Sequence, residues 1–151
     1  MTHADIILKE LQQHAQAVEL LVARRGIIQE MADRIIACLR EGGKIIFFGN
    51  GGSAADAQHL AAEFVIRYRK NWRTLPALAL TTDTSMLTAC GNDFGFETIF
   101  SRQVEGLANA GDVVIGITTS GDSVNVVNGL EEAKRKGCFT ISWTAEGGGR
   151  A

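Results

Sequence analysis

Apolar residues recur with two different periods along this chain. Over residues 4–24, Ile7, Leu8, Leu11, Ala15, Val18, Leu21 and Val22 fall at helical spacing. Gly26 interrupts that pattern, and a second helical run reaches Leu39. "EGG" at 41–43 then supplies the glycine favoured just beyond a helix end. Four short apolar runs follow: "KIIFFG", "ALALTT", "DVVIGIT" and "FTISWT". Each has the length of a buried strand, and the stretches between them are mostly helical. The alternation predicts an α/β fold, a parallel sheet with helices on both faces. The single proline, Pro76, stands just before the second strand.

Composition narrows the class. The 151 residues suit one domain, and 46% hydrophobic against 21% charged residues favours a packed core over disorder. The net charge of −2 gives no broad attraction to nucleic acid or to an anionic membrane. No apolar run is long enough to span a bilayer, and "MTHADIILKELQQ" lacks a basic-then-apolar leader pattern. Cys38, Cys90 and Cys138 offer neither a zinc-clip spacing nor an even disulfide set, which points to a reducing cytoplasm.

In a parallel sheet of this kind ligands bind beyond the carboxyl ends of the strands. Two strand ends are rich in small polar residues: Asn50, Gly51, Gly52 and Ser53 after the first, and "TTSGDS" at 118–123 after the third. Glycine allows close backbone approach, serine and threonine add donors, and the following helix directs free N–H groups to the same place. That combination suits a phosphate. Ser53 and Ser123 read equally well as helix N-caps. There is no G-x-G-x-x-G and no G-K-[ST], so neither loop is a nucleotide fingerprint.

The stretch after the first loop is mostly alanine, a helix expected to be covered on several sides. Its polar residues Asp56, His59, Glu63 and Arg67 fall on one stripe. His59 and Glu63, four apart, can share a metal ion or a substrate, or form a plain surface ion pair. A carboxylate with part of its hydration removed is the better proton acceptor. Asn92 also reads as a turn residue, and Trp72 and Trp143 read as packing residues.

"GNGGSAADAQHLAAEFVIRYR", "LPALALTTDTSMLTACGNDFGFETIFSRQV" and "GDVVIGITTSGDSVNVVNGLEEAKRKG" together resemble the sugar isomerase (SIS) domain family, and within it the phosphoheptose isomerases. The likeness runs from about residue 40 to 148 and rests on the glycine loop, the H-x-x-x-E pair, "GND" and "TSG-x-S" occurring in order. It implies a three-layer αβα, flavodoxin-like sheet over 44–151. The helices of 1–40 would pack subunits into a homo-oligomer, expected to be a tetramer, so that 1–151 forms one SIS domain.

The implied reaction converts sedoheptulose 7-phosphate to D-glycero-D-manno-heptose 7-phosphate through an enediol, the first step toward the heptose of lipopolysaccharide. By position, Asn50, Gly51, Gly52 and Ser53 would line the sugar site, with Arg67 as a further contact. His59 and Glu63 would bind zinc, Glu63 serving also as the base. Asn92 and Asp93 would hold sugar hydroxyls, in the chain's own site or a neighbour's. Thr118, Thr119, Ser120 and Ser123 would hold the phosphate. The family pattern continues into a further strand and a long helix whose glutamine and histidine complete the zinc site. The only histidines here are His3, His14 and His59, so the expectation is half a metal site and one proton-transfer group. Without a further strand, "FTISWT" would be an open sheet edge. Two other roles fit the resemblance: a non-catalytic scaffold for the bacterial replication initiator, and a sugar-phosphate sensor. A scaffold has no need of Glu63.

Overall fold

A computed structural model describes residues 2–145 and 147–151. The chain divides into two compact units, residues 1–33 and 34–151. In the first, helix α1 (His3–Ala23) starts with a capping box. The Thr2 hydroxyl accepts the Asp5 N–H at 3.2 Å, and the Asp5 carboxylate accepts the Thr2 N–H at 2.7 Å. Every residue of α1 is exposed. The helix breaks at Arg24 rather than at Gly26, which lies inside α2 (Arg25–Arg40).

The second unit carries β1 (Ile45–Gly49), α3 (Gly52–Val65), β2 (Ala77–Ala79), α4 (Thr84–Phe94), a 3-10 turn (Phe96–Thr98), α5 (Ser101–Leu107), β3 (Val113–Ile117), α6 (Val124–Arg135) and β4 (Phe139–Trp143). The four predicted strands are all present and all parallel, in the order β2-β1-β3-β4. Gly42, at φ +85°, ends α2 as the "EGG" signal predicts. β2 is short because its continuation turns away. The Thr81 hydroxyl donates to the Ala54 carbonyl (3.3 Å) and the Thr82 hydroxyl to the Ala79 carbonyl (3.2 Å).

Strand periodicity sends Phe47 and Phe48 to opposite faces, and each meets an aromatic ring. Phe47 lies 6.0 Å from Phe64 of α3, and Phe48 stacks on Phe100 at 4.9 Å. The main core gathers on the Phe48 face, where Ile46, Val114, Val104, Val126 and Leu130 are buried. Gly116 and Gly129 let α6 settle onto that face. A Cβ on Gly116 would sit 3.0 Å from Leu130, and one on Gly129 2.8 Å from Phe48.

At the sheet's opposite end Asp112, 2% exposed, accepts the Lys44 ammonium (2.6 Å) and the N–H groups of Lys44 and Asn109 (3.0 and 2.8 Å). Cys38 and Cys138 are buried nearby as free thiols, and burial pushes both thiol pKa values up. No described helix is long and apolar enough to cross a membrane.

Candidate active site

The strand order fixes where the crevice lies. β1 connects through α3 to β2 on one side, and β3 connects through α6 to β4 on the other. Their carboxyl ends, paired in register as Gly49 with Ile117, therefore diverge at a topological switch point. Both glycine–serine loops open there. Gly49 permits the approach: a Cβ on it would stand 2.7 Å from the Ile117 carbonyl oxygen and 2.7 Å from Ser53 Cβ.

The two loops are built differently. In the first, Gly51 at φ +55° turns the chain into α3 without a side-chain cap. Ser53 lies inside the helix, so it is not the N-cap; its N–H donates to the Asn50 carbonyl at 3.0 Å. The N–H groups of Gly51 and Gly52 have no acceptor among the described residues. In the second, Ser123 occupies the N-cap position, but its hydroxyl pairs with Thr118 at 2.9 Å instead of capping α6. Thr118 is buried, while Thr119 and Ser120 are exposed, with the Ser120 hydroxyl accepting the Asp122 N–H at 3.1 Å. The N–H groups of Ser120, Val124 and Asn125 are also uncommitted among the described residues. Two helix amino termini thus present free donors to one crevice, the arrangement that receives an oxyanion.

The loops are tied together by a residue that sequence reasoning passed over. Asn50 Nδ2 donates to Asn125 Oδ1 at 2.8 Å, and Asn125 Nδ2 donates back to Asn50 Oδ1 at 2.9 Å. Asn125 is 3% exposed. The available signal was a polar residue in the first turn of a helix whose following residues are apolar.

His59 and Glu63 form a second cluster farther along α3, with His59 Nε2 3.5 Å from Glu63 Oε1. The helix is less covered than its alanine content suggests: Ala57 and Ala61 are buried, but Ala55 and Ala62 are exposed. Glu63 Oε2 is enclosed and has no hydrogen-bond partner. Both residues line a cavity of about 480 Å³ with Phe64, Tyr68, Trp72 and Arg73. Arg67 does not extend the helical stripe, because α3 ends at Val65; the Leu75 N–H takes the Phe64 carbonyl (3.1 Å) as the chain folds back. Arg67 still reaches the same cavity wall. Trp72 is not a packing residue: it is 66% exposed at the cavity, with the Lys70 ammonium 5.7 Å from its ring, and Trp143 is 38% exposed.

Asn92 and Asp93 lie in the last turn of α4 rather than in a turn, exposed and bonded to each other at 2.8 Å. Among the described residues no hydrogen bond joins them to either cluster. The structure therefore unites Asn50–Ser53 with Thr118–Ser123, gathers His59 and Glu63 of α3 with Arg67 beyond its end around one cavity, and joins Asn92 and Asp93 by hydrogen bonds to neither. The donor types of His59 and Glu63 fit zinc as two of its ligands. No group of three His, Cys, Asp or Glu that could hold a metal is present among the described residues.

Comparison with known proteins matches residues 10–145 to the SIS domain model. A phosphoheptose isomerase of Aquifex aeolicus is 60% identical over 123 residues, covering 82% of this chain and 64% of the relative. One from Desulfovibrio desulfuricans is 54% identical over 147 residues, covering 97% and 70%. The structure of a phosphoheptose isomerase from Francisella tularensis superposes with a TM-score of 0.91 at 37% identity, covering 99% of this chain and 78% of that one. The chain thus spans between about two thirds and four fifths of the length of these relatives.

Proposed function

This chain belongs to the SIS-domain family and, within it, to the phosphoheptose isomerases, and from that premise we propose that it interconverts sedoheptulose 7-phosphate and D-glycero-D-manno-heptose 7-phosphate. The observation that carries the reading is the enclosed Glu63 oxygen with no partner, in a cavity along α3, the helix whose amino terminus forms one side of the crevice of free N–H groups. A buried acceptor left without a donor is costly unless a ligand uses it.

The chemistry follows from the groups present. The crevice loops, with Thr118, Thr119, Ser120, Ser123 and the Gly51 and Gly52 N–H groups, hold the phosphate. Asn50 and Arg67 contact the sugar. Glu63 takes the proton from C1 of the open-chain ketose. The C–H electron pair becomes the C1=C2 bond, and the carbonyl oxygen at C2 becomes an enediolate oxyanion. Return of a proton to C2, with transfer of the proton on O1 to the O2 oxyanion, gives the aldose. Fixed donors lower the energy of the oxyanion. His59 and Glu63 would hold a zinc ion, which when bound supplies positive charge for that oxyanion. Asn92 and Asp93, joined by hydrogen bonds to neither cluster here, serve the site of a neighbouring subunit in a homotetramer. In this reading 1–151 works as one SIS domain, with 1–40 packing subunits, in the cytoplasm and on the route to lipopolysaccharide heptose.

The test is solvent-deuterium incorporation into sedoheptulose 7-phosphate, with aldose formation followed alongside. Glu63→Gln is expected to lose about a hundredfold or more, the scale of a general base, while keeping sugar-phosphate binding. Sedoheptulose 7-phosphate should raise the melting temperature more than free sedoheptulose, since ligand that binds only the native state stabilises it by mass action. Unchanged exchange in Glu63→Gln, or equal shifts from the two sugars, would overturn the assignment.

A further inference from the structure

The Asn50–Asn125 pair stands at the switch point with no part yet in binding or catalysis beyond Asn50's contact to the sugar. A carboxamide has two N–H donors and an oxygen with two lone pairs. The reciprocal pair, at 2.8 and 2.9 Å, uses one donor and one lone pair of each residue. One hydrogen bond would leave the Asn50 side chain free to rotate about its last bond; two fix the plane of the amide. Asn125 is 3% exposed and Asn50 half-buried, so a ligand in the crevice meets Asn50. The Asn50 backbone is held too, its carbonyl accepting the Ser53 N–H.

We infer that Asn125 is a positioning residue for the sugar: its buried carboxamide locks the Asn50 carboxamide across the β1–β3 crevice, so that the remaining N–H and lone pair of Asn50 meet sugar hydroxyls in one fixed orientation. The inference rests on the sugar-phosphate reading of the crevice. It also explains why a buried polar residue sits in the first turn of α6, where an apolar one would pack more cheaply.

The two roles of Asn125, filling space and orienting Asn50, separate in two variants. Asn125→Leu keeps the volume and removes both bonds. It is expected to weaken sedoheptulose 7-phosphate roughly tenfold and to leave inorganic phosphate, held by the backbone donors, within about twofold. Asn125→Asp keeps the shape. Its neutral carboxyl has one donor and one acceptor and re-forms both bonds, whereas its carboxylate has no donor and turns a lone pair on Asn50 Oδ1. Sugar-phosphate affinity in this variant should be close to parental at low pH and fall to the Asn125→Leu level as pH rises through the new ionisation, a step the parent lacks. The Asn50 side-chain NH₂ resonances, assigned by ¹⁵N NMR without ligand, should shift in Asn125→Leu and titrate in Asn125→Asp. Unmoved Asn50 resonances, a pH-independent loss in Asn125→Asp, or equal losses for phosphate and sugar phosphate would overturn the role. Should the parent bind no sedoheptulose 7-phosphate, the functional reading fails while the Asn50 resonances still decide the positioning.

Discussion

Gly49 and Gly51, two residues apart, are glycine for different reasons, and substitution separates them. At Gly49 an added methyl would meet backbone and side chain at 2.7 Å on both sides. Gly49→Ala therefore has to push α3 away from β3, and is expected to destabilise by about 1–3 kcal/mol, the usual scale of overpacking. It should weaken sugar-phosphate binding as well, because it parts the two loops. At Gly51 the space is open and only the positive φ resists. With ψ at −119°, Gly51 lies outside the left-handed helical well, so Gly51→Ala should cost about 1–3 kcal/mol through backbone strain while leaving the loops unparted. Urea denaturation and ligand-induced melting shifts compare the two; equal losses of binding would show that loop separation is not the cause. The glycines and serines of this site were legible in the sequence because few other residue types satisfy a tight strand-end loop. Asn125 was not, since a buried amide and a helix-start asparagine look alike until the partner is seen. Trp72 misled for the converse reason, because a large ring reads as core whether or not the chain covers it.

At the scale of elements, α1 presents the clearest unmet need. Leu8, Leu11, Ala15, Val18 and Val22 recur at alternating steps of three and four, the seam of a coiled coil. Leu8 is 56% exposed, Leu11 63% and Val22 61%. A fully buried side chain of this size contributes about 1.5–3 kcal/mol, enough to favour association of the proposed homotetramer through this seam. Leu11→Asp is expected to shift the chain toward smaller species by light scattering at micromolar concentration, while Lys9→Ala, off the seam, leaves the mass unchanged. A parent that is already monomeric would remove the seam's proposed role. The two amino-terminal helices were legible from apolar spacing and the end of α2 from its glycines, but the break at Arg24 and the end of α3 were not. The stripe ending at Arg67 fails because the Leu75 N–H captures the Phe64 carbonyl from outside the helix, a long-range event that local periodicity does not contain.

For the molecule as a whole, four apolar runs separated by helical stretches were enough to specify a parallel α/β sheet. The same pattern is silent on strand order, which is what puts both loops at one crevice. That order also governs how the chain must fold. Consecutive parallel strands cannot meet through a tight turn, and the central pairing of β1 with β3 forms only when segments such as those of Lys44 and Asp112, 68 positions apart, find each other. Loop closure over that span precedes any stabilisation from the pair, which slows folding relative to helical chains of equal length. Val114→Ala, within that pair opposite Ile46, is therefore expected to lower the refolding rate more than it raises the unfolding rate. Leu78→Ala, on the short edge strand β2, should do the reverse. Stopped-flow measurements in denaturant read both limbs. If the two substitutions divided their effects alike, assembly of the sheet would not be gated at its centre.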